Sequence, residues 1–302
     1  MSEFRLIARK DLDLAQWDEL VQRSPNGKIY DLSFYLDAVA EDWMAICKDD
    51  YSAGTSFAFK NRAGYKNIYQ PFFHRQFGLL SLNDSAFIEV FPKDIKHIHW
   101  CSSVPDLSFP YNEKWMYQEL MIDRSLESIR KSYSENARRM IKKSELNAHR
   151  ITESDNVDRF IQFFRDQKGD DIKEFKKDDY ERLRLLLKGG IRKGLGKIVE
   201  VRAGEELIAT GFFWFFKDRI TYLKGTASKQ GRNEGAMFAL FDYVISTASF
   251  DAKILDFGGS RIPAIAQFYK RFGAQDVYYY SYQSGKRPWY IQLASSLKRR
   301  FQ

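Results

Sequence analysis

Apolar residues change their spacing along this chain, and each change marks an element. Residues 14–43 read as helical pieces around a Ser24-Pro25-Asn26-Gly27 turn, with Phe34, Ala38, Val39 and Trp43 at helical intervals. Short strand-like runs follow: MAICK (44–48), SFAFK (56–60), KNIYQPFF (66–73) and AFIEVF (86–91). The alternation in KHIHWC (96–101) closes this half near Pro105. Residues 123–145 predict one amphipathic helix. Leu126, Ile129, Tyr133, Ala137 and Met140 form its buried stripe, while Arg130, Lys131, Arg138, Arg139, Lys142 and Lys143 lie opposite. A new strand in NAHRITES (147–154) and a new helix in DNVDRFIQFFRDQ (155–167) divide the chain into residues 1–146 and 147–302.

The second half has a specific order. A helix containing LRLLLKGGIRKG (183–194) ends at glycines, which suit left-handed caps. The strands KIVEVRA (197–203) and ELIATGFFWFFKD (206–218) turn tightly at Gly204, and RITYLKGTAS (219–228) completes a meander. GRNEGAMFALFDYVISTASF (231–250) reads as a helix, KILDFGG (253–259) as a short buried strand, IPAIAQFYKRFG (262–273) as a helix and AQDVYYYSY (274–282) as a last strand. Three strands in a meander, then helix–strand–helix–strand, predict an α+β domain with a mixed sheet flanked by helices, its helix-linked strands parallel.

Composition narrows the class. The 302 residues suit two domains, and 44% apolar residues with 25 Phe, 17 Tyr and 6 Trp can fill two cores. Two cysteines, Cys47 and Cys101, exclude a disulfide scaffold, and no run approaches the ~18 apolar residues of a spanning helix. The first residues, MSEFRLIARKDLDL, are charged where a signal peptide carries its apolar region, so the expected location is cytoplasmic. His97, His99 and Cys101 share one face of an alternating run without a fourth ligand nearby, and no metal site is expected. A net charge of +8 favours an anionic partner. The tail 284–302, with Trp289, Ile291, Leu293 and Leu297 between basic ends, reads as a segment packing back on the first domain rather than on a membrane.

The succession in the second half resembles the N-acetyltransferase superfamily fold (GNAT). There, an acyl-CoA lies beside the strand that precedes the long helix, with its phosphates at the helix N-terminus. Free backbone N–H groups and the helix dipole make such an end an anion site. The resemblance assigns this role to Lys224–Ala236 and implies cofactor contacts from Lys224, Gly225, Thr226, Lys229, Gly231, Arg232 and Gly235. Arg232 and Gly235 fit the superfamily's Gln/Arg-x-x-Gly-x-Gly/Ala loop. Met237 departs from its last small position, and Glu234 brings a negative charge into it.

Four further stretches resemble the Fem family and related Fem-like acetyltransferases. DFGG (256–259) followed by FYKRFGA (268–274) is similar to their last strand and helix. SENARRMIKKSE (134–145) is similar to their basic Asn-x-Arg-Arg-x-x-x-Lys helix, and YQPFFHRQFGLLS (69–81) to their Gln-Pro-x-x-x-x-x-Gly segment. The family carries two GNAT-like domains in tandem, which matches the two halves. Where Fem proteins carry a lysine used in aminoacyl transfer, this chain has Tyr269. Acyl-CoA-dependent GNAT enzymes often place a tyrosine there, after a phenylalanine, to protonate the leaving thiolate.

The resemblance therefore implies an N-acyltransferase that moves an acyl group to a primary amine on a small molecule or cell-envelope precursor. Acetyl-CoA or a longer acyl-CoA is the favoured donor. Tyr269 is the candidate acid, and Asp256, beside the cleft, the candidate base or amine-orienting group. Two alternatives stand beside this reading. One is transfer from aminoacyl-tRNA to a peptidoglycan precursor, which the basic helix and net charge suit and the absent lysine does not. The other is a catalytically inert GNAT-like binding protein, suggested by Glu234 and Met237.

Overall fold

A computed structural model describes residues 3–62, 64–81, 86–103, 111–168, 177–248, 251–259 and 262–285. The chain divides into two compact units, one of Met1–Trp115 with Tyr279–Gln302 and one of Met116–Tyr278. The tail expected to pack back on the first domain lies outside the described residues from 286 onward.

In the first unit, β1 (Phe4–Ala8) precedes α1 (Leu14–Arg23) and α2 (Ser33–Val39). β2 (Trp43–Lys48), β3 (Gly54–Arg62), β4 (Tyr65–Tyr69), β5 (Leu79–Leu80) and β6 (His97–Ser102) follow. The sheet runs β1-β2-β3-β4-β6, antiparallel except for the parallel β4/β6 pair, with β5 on β3. AFIEVF, expected as a strand, is a 3₁₀ turn over Ala86–Val90. Its apolar run lacks alternation, so it seats Phe87 in the core without a flat face. The Gln-Pro…Gly segment is packed tightly. Gln70 Oε1 accepts the Cys101 N–H at 3.1 Å, and buried Asp31 accepts the Gly78 N–H at 2.7 Å. A Cβ on Gly78 would stand 2.6 Å from that carboxylate, so only glycine fits.

The second unit opens with β7 (Glu113–Met121), which crosses into it at Met116. The helix expected over 123–145 is two, α3 (Leu126–Lys131) and α4 (Glu135–Leu146), because Ser134 turns its hydroxyl onto the Ala137 N–H and starts a new helix. Next come β8 (Arg150–Ser154), α5 (Val157–Lys168) and α6 (Lys177–Arg192). Gly189 and Gly190 are interior to α6. The left-handed residue is Gly194, while Gly190 lies against the ring of Trp214. The meander is β9 (Gly196–Ala203), β10 (Glu206–Phe216) and β11 (Arg219–Ala227). It leads to α7 (Lys229–Asn233), α8 (Ala236–Ser246), β12 (Ile254–Asp256), α9 (Pro263–Lys270) and β13 (Gln275–Ser284).

This unit's sheet runs β7-β12-β11-β10-β9-β8, with β11/β12 its parallel pair. β13 does not pair with β12 as the helix-linked pattern predicts, because β7 takes that edge of β12 in antiparallel register. The unit boundary near 115 also differs from the one expected at 146/147. Ile129 of α3, Tyr133 of the turn after it and Ala137 of α4 are buried with Phe213, Tyr222, Phe241, Leu255 and Phe272, so these helices belong to the core that follows them. Gly235 allows the close approach: it is left-handed at φ 80°, and a Cβ there would stand 2.3 Å from the Met140 carbonyl oxygen of α4.

Candidate functional site

The site begins where two strands part. β12 pairs with β11 only through Arg219–Ile254, Ile220–Leu255 and Thr221–Asp256, whereas β10 accompanies β11 from Arg219 to Ala227. DFGG makes the parting. Asp256 Oδ1 accepts the Gly258 N–H at 2.9 Å, and Gly258 and Gly259 are left-handed at φ 76° and 79°. A Cβ on Gly258 would stand 2.3 Å from the Tyr222 carbonyl oxygen, and one on Gly259 2.6 Å from the Tyr117 Cβ. The chain thus brushes β11 once and leaves toward β7. Strand geometry turns alternate N–H groups beyond Thr221 to the side that β12 has left. A bulge at Leu223 interrupts the β10 register there.

Tyr269 of α9 lies beneath this opening. Its ring stacks on Phe257 at 4.7 Å between centroids, meets Phe241 at 6.1 Å and faces Tyr222 at 6.4 Å. Neither phenol has a hydrogen-bond partner among the described residues, although Tyr222 and Tyr269 are only 7% and 6% exposed. Burial, and then the Asp256 carboxylate, push the Tyr269 hydroxyl above its usual 10, and burial beside Tyr269 does the same to Tyr222. The aromatic enclosure makes the Tyr269 phenol a weaker acid that stays protonated.

Asp256 is fully buried and already engaged. Besides the Gly258 N–H, its Oδ2 stands 3.4 Å from Arg219 Nη1, and that guanidinium also pairs with Glu119 of β7. Arg219 and Glu119, which the sequence did not single out, lock the end of β12 between its neighbours. Tyr222 was also missed; its position in the strand is regular, and only the fold shows that it faces Tyr269.

The expected cofactor residues divide. Lys224 reaches over the ring of Phe164 on α5, 5.5 Å from its centroid. Thr226 is buried, with its hydroxyl unpartnered among the described residues. Gly225 is flanked by Gly211 and the Thr210 carbonyl across the ladder. The helix expected over 231–250 breaks after Asn233 into α7 and α8. Ser228 caps α7 through the Gly231 N–H at 3.1 Å, and Gly231 is held against the Ile208 carbonyl, 2.2 Å from where a Cβ would lie. Lys229 and Arg232 are exposed, and Arg232 Nη1 donates to the Ala227 carbonyl at 2.7 Å. Gly235 is committed to the α4 contact. Glu234 turns its carboxylate to His149 Nε2 at 2.7 Å.

Among the described residues no group of three His, Cys, Asp or Glu side chains could hold a metal ion, and no helix is long and apolar enough to cross a membrane.

Residues 127–271 match the family described as acetyltransferase (GNAT) domain. No curated protein matches the sequence. Among solved structures, FemX is similar over 90% of this chain and 96% of its own, at 12% identity and a TM-score of 0.70. L-PGS from Bacillus licheniformis is similar over 96% of each chain, at 13% identity and a TM-score of 0.53. A tandem GNAT protein from the clavulanic acid biosynthesis pathway is covered completely by 95% of this chain, at 11% identity and a TM-score of 0.52. Residues 127–271 thus match the acetyltransferase (GNAT) domain family, and over its length the chain has the fold seen in FemX and in tandem GNAT proteins.

Proposed function

We propose that the second unit transfers an acyl group from acyl-CoA to a primary amine on a small molecule or cell-envelope precursor. The observation that carries this reading is the pair of buried, unpartnered phenols, Tyr222 and Tyr269, where β12 leaves β11. A neutral amine attacks the thioester carbon, the C–S bond breaks, and the departing thiolate takes the Tyr269 proton. The phenolate then recovers a proton from the new ammonium through solvent. Outward N–H groups between Lys224 and Thr226 steady the oxyanion. Asp256 is a positioning residue in this scheme, because its oxygens hold the DFGG turn and Arg219.

From Thr221, opposite Asp256, to Ala227 the strand spans about 20 Å, a reach suited to an extended donor arm. Its reacting end would meet Tyr269, and its phosphates Lys229 and Arg232, with Gly231 keeping the backbone close. The GNAT domain and the FemX and L-PGS folds support a transferase of this kind.

A second reading rests on a different observation. Arg138, Arg139, Lys142 and Lys143 of α4 are all exposed and have no ion-pair partner among the described residues. Four free cations on one helix suit a polyanionic donor such as aminoacyl-tRNA. A thermal-shift titration with acetyl-CoA, longer acyl-CoAs and charged tRNA separates the readings. A ligand at 100 times its Kd adds about 2.7 kcal/mol of stability. Acyl-CoA should raise Tm and, with an active amine, release thiol. Stabilisation by charged tRNA alone would select the second reading, and no response to any donor would leave an inert module.

A further inference from the structure

A hydrogen-bonded chain of three side chains lies apart from this site, between α4, β8 and the start of α8. Ser144 Oγ is 2.7 Å from His149 Nδ1, and His149 Nε2 is 2.7 Å from Glu234 Oε2. Ser144 and the imidazole are each 1% exposed, while the Glu234 side chain is 26% exposed, so the chain runs from a buried hydroxyl to a partly solvated carboxylate. A carboxylate only accepts hydrogen bonds, so Nε2 carries the imidazole proton toward Glu234. With the ring neutral, Nδ1 presents a lone pair to which the Ser144 hydroxyl donates. The result is an alcohol on a base that a carboxylate orients, the logic of a serine nucleophile.

A helix-end tie alone does not explain the arrangement. The end of α4 is already closed by the Asn147 amide on the Lys143 carbonyl at 3.0 Å and by the His149 N–H on the Ser144 carbonyl at 3.3 Å. The bond to Glu234, 85 residues away, is additional. Ser144 and His149 also line a cavity of about 160 Å³ whose walls include Ile141, Ile151 and Ala239. A cavity of about 150 Å³ takes a benzene-sized molecule. Glu145 and Asp242 line it too, a lining that disfavours an anionic acyl group.

The geometry points to Ser144 as an activated nucleophile for small, neutral acyl esters or thioesters, at a site separate from the β11–β12 opening. Ser144 Oγ bonds to the acyl carbon while its proton passes to His149 Nδ1, and Glu234 holds the imidazolium. The C–O or C–S bond of the substrate breaks, and the leaving alcohol or thiol takes that proton. The acyl group remains as an ester on Ser144 until water, deprotonated by the same imidazole, releases it as a carboxylic acid.

The test uses the full chain with p-nitrophenyl acetate and a small fluorophosphonate, and locates adducts by peptide mass spectrometry. The expected result is a burst of up to one nitrophenol per chain with the adduct on Ser144, absent in Ser144→Ala. Glu234→Gln and His149→Gln should slow acylation about 10²–10⁴-fold, with circular dichroism confirming that each is folded. Tyr269→Phe should label like the wild type, which separates this site from the proposed transferase chemistry. An unlabelled Ser144 in folded wild type would overturn the assignment. So would labelling at an undiminished rate in folded Glu234→Gln, which preserves shape if His149→Gln does not fold.

Discussion

Replacing Tyr269 with phenylalanine should separate activity from stability, and in opposite directions. The ring is the packed part: it stacks on Phe257 at 4.7 Å and lies 5.7 Å from Phe268, contacts that phenylalanine keeps. The residue is 6% exposed and its hydroxyl has no hydrogen-bond partner among the described residues; a hydroxyl held from water without one costs about 1–3 kcal/mol. Tyr269→Phe should therefore be as stable as the wild type or up to about 2 kcal/mol more stable, read as an increase in the urea midpoint at constant m. Turnover should fall about 10²–10⁴-fold, or about 2.7–5.4 kcal/mol in the barrier, while acyl-CoA affinity stays nearly intact. Such a trade of stability for a poised group is characteristic of functional sites.

The assay is thiol release from acyl-CoA with the best amine found, on wild type, Tyr269→Phe, Tyr222→Phe and Tyr269→Lys. The lysine variant restores the Fem residue and should not rescue thioester chemistry. Because burial and Asp256 push the Tyr269 phenol above 10, wild-type turnover should show no alkaline loss from this group below pH 10. Two results refute the reasoning. Full turnover in Tyr269→Phe removes the hydroxyl from the reaction, and if Tyr222→Phe is then inactive the acid is Tyr222. A loss of stability beyond about 1 kcal/mol would mean that the hydroxyl is bonded in the resting protein.

Further outcomes can be measured separately. Arg232→Glu should weaken CoA binding by about 1–3 kcal/mol in a calorimetric titration, and an unchanged Kd in a folded variant would remove Arg232 from the diphosphate. Asp256→Asn should cost about 2–4 kcal/mol of stability in urea, since Arg219 loses one of its two carboxylates inside the sheet; an unchanged midpoint with lost turnover would instead support Asp256 as the base. Gly190→Ala should destabilise by about 1–3 kcal/mol, because the added Cβ would stand 2.1 Å from Cζ3 of the fully buried Trp214. His74, buried against Phe77, is pushed by desolvation from its usual 6.5 down to about 3. Below pH 6.5 the unfolded chain binds a proton that the folded one refuses, so stability falls as pH drops toward 3. The loss should reach about 3 kcal/mol at pH 4.5, and His74→Phe should remove that part of the acid slope.

Much of the second unit was legible because its strands alternate and its helices carry a stripe. KIVEVRA, ELIATGFFWFFKD and RITYLKGTAS became β9, β10 and β11, and IPAIAQFYKRFG became α9. β7 was not legible: EKWMYQELM leaves Met116 and Met121 exposed and breaks the alternation, so nothing local declares a strand. Missing it misplaced both the unit boundary and the neighbour of β12. The break between α7 and α8 was also hidden, since Gly235 reads equally as a phosphate-loop glycine and as room for α4. Its close approach to the Met140 carbonyl spans 95 positions that no local pattern joins. Ser144 and His149 escaped for the same reason, and Glu234 was read only as a charge in the loop.

DFGG shows how a local signal acquires its meaning from distant partners. Two glycines after an aspartate announce a turn in any sequence. Here the turn does more, because Arg219 and Glu119 fix the strand up to Asp256 and the left-handed pair then carries it off β11. Ending the β11–β12 ladder after three residue pairs forgoes backbone hydrogen bonds that a longer β12 would make. The structure spends that loss in one place, beside two phenols without partners. A fold selected for stability alone would extend β12 and replace Tyr269 with phenylalanine. That it does neither is the physical reason for placing the chemistry at this opening, and for expecting stability and turnover to move apart when the hydroxyl is removed.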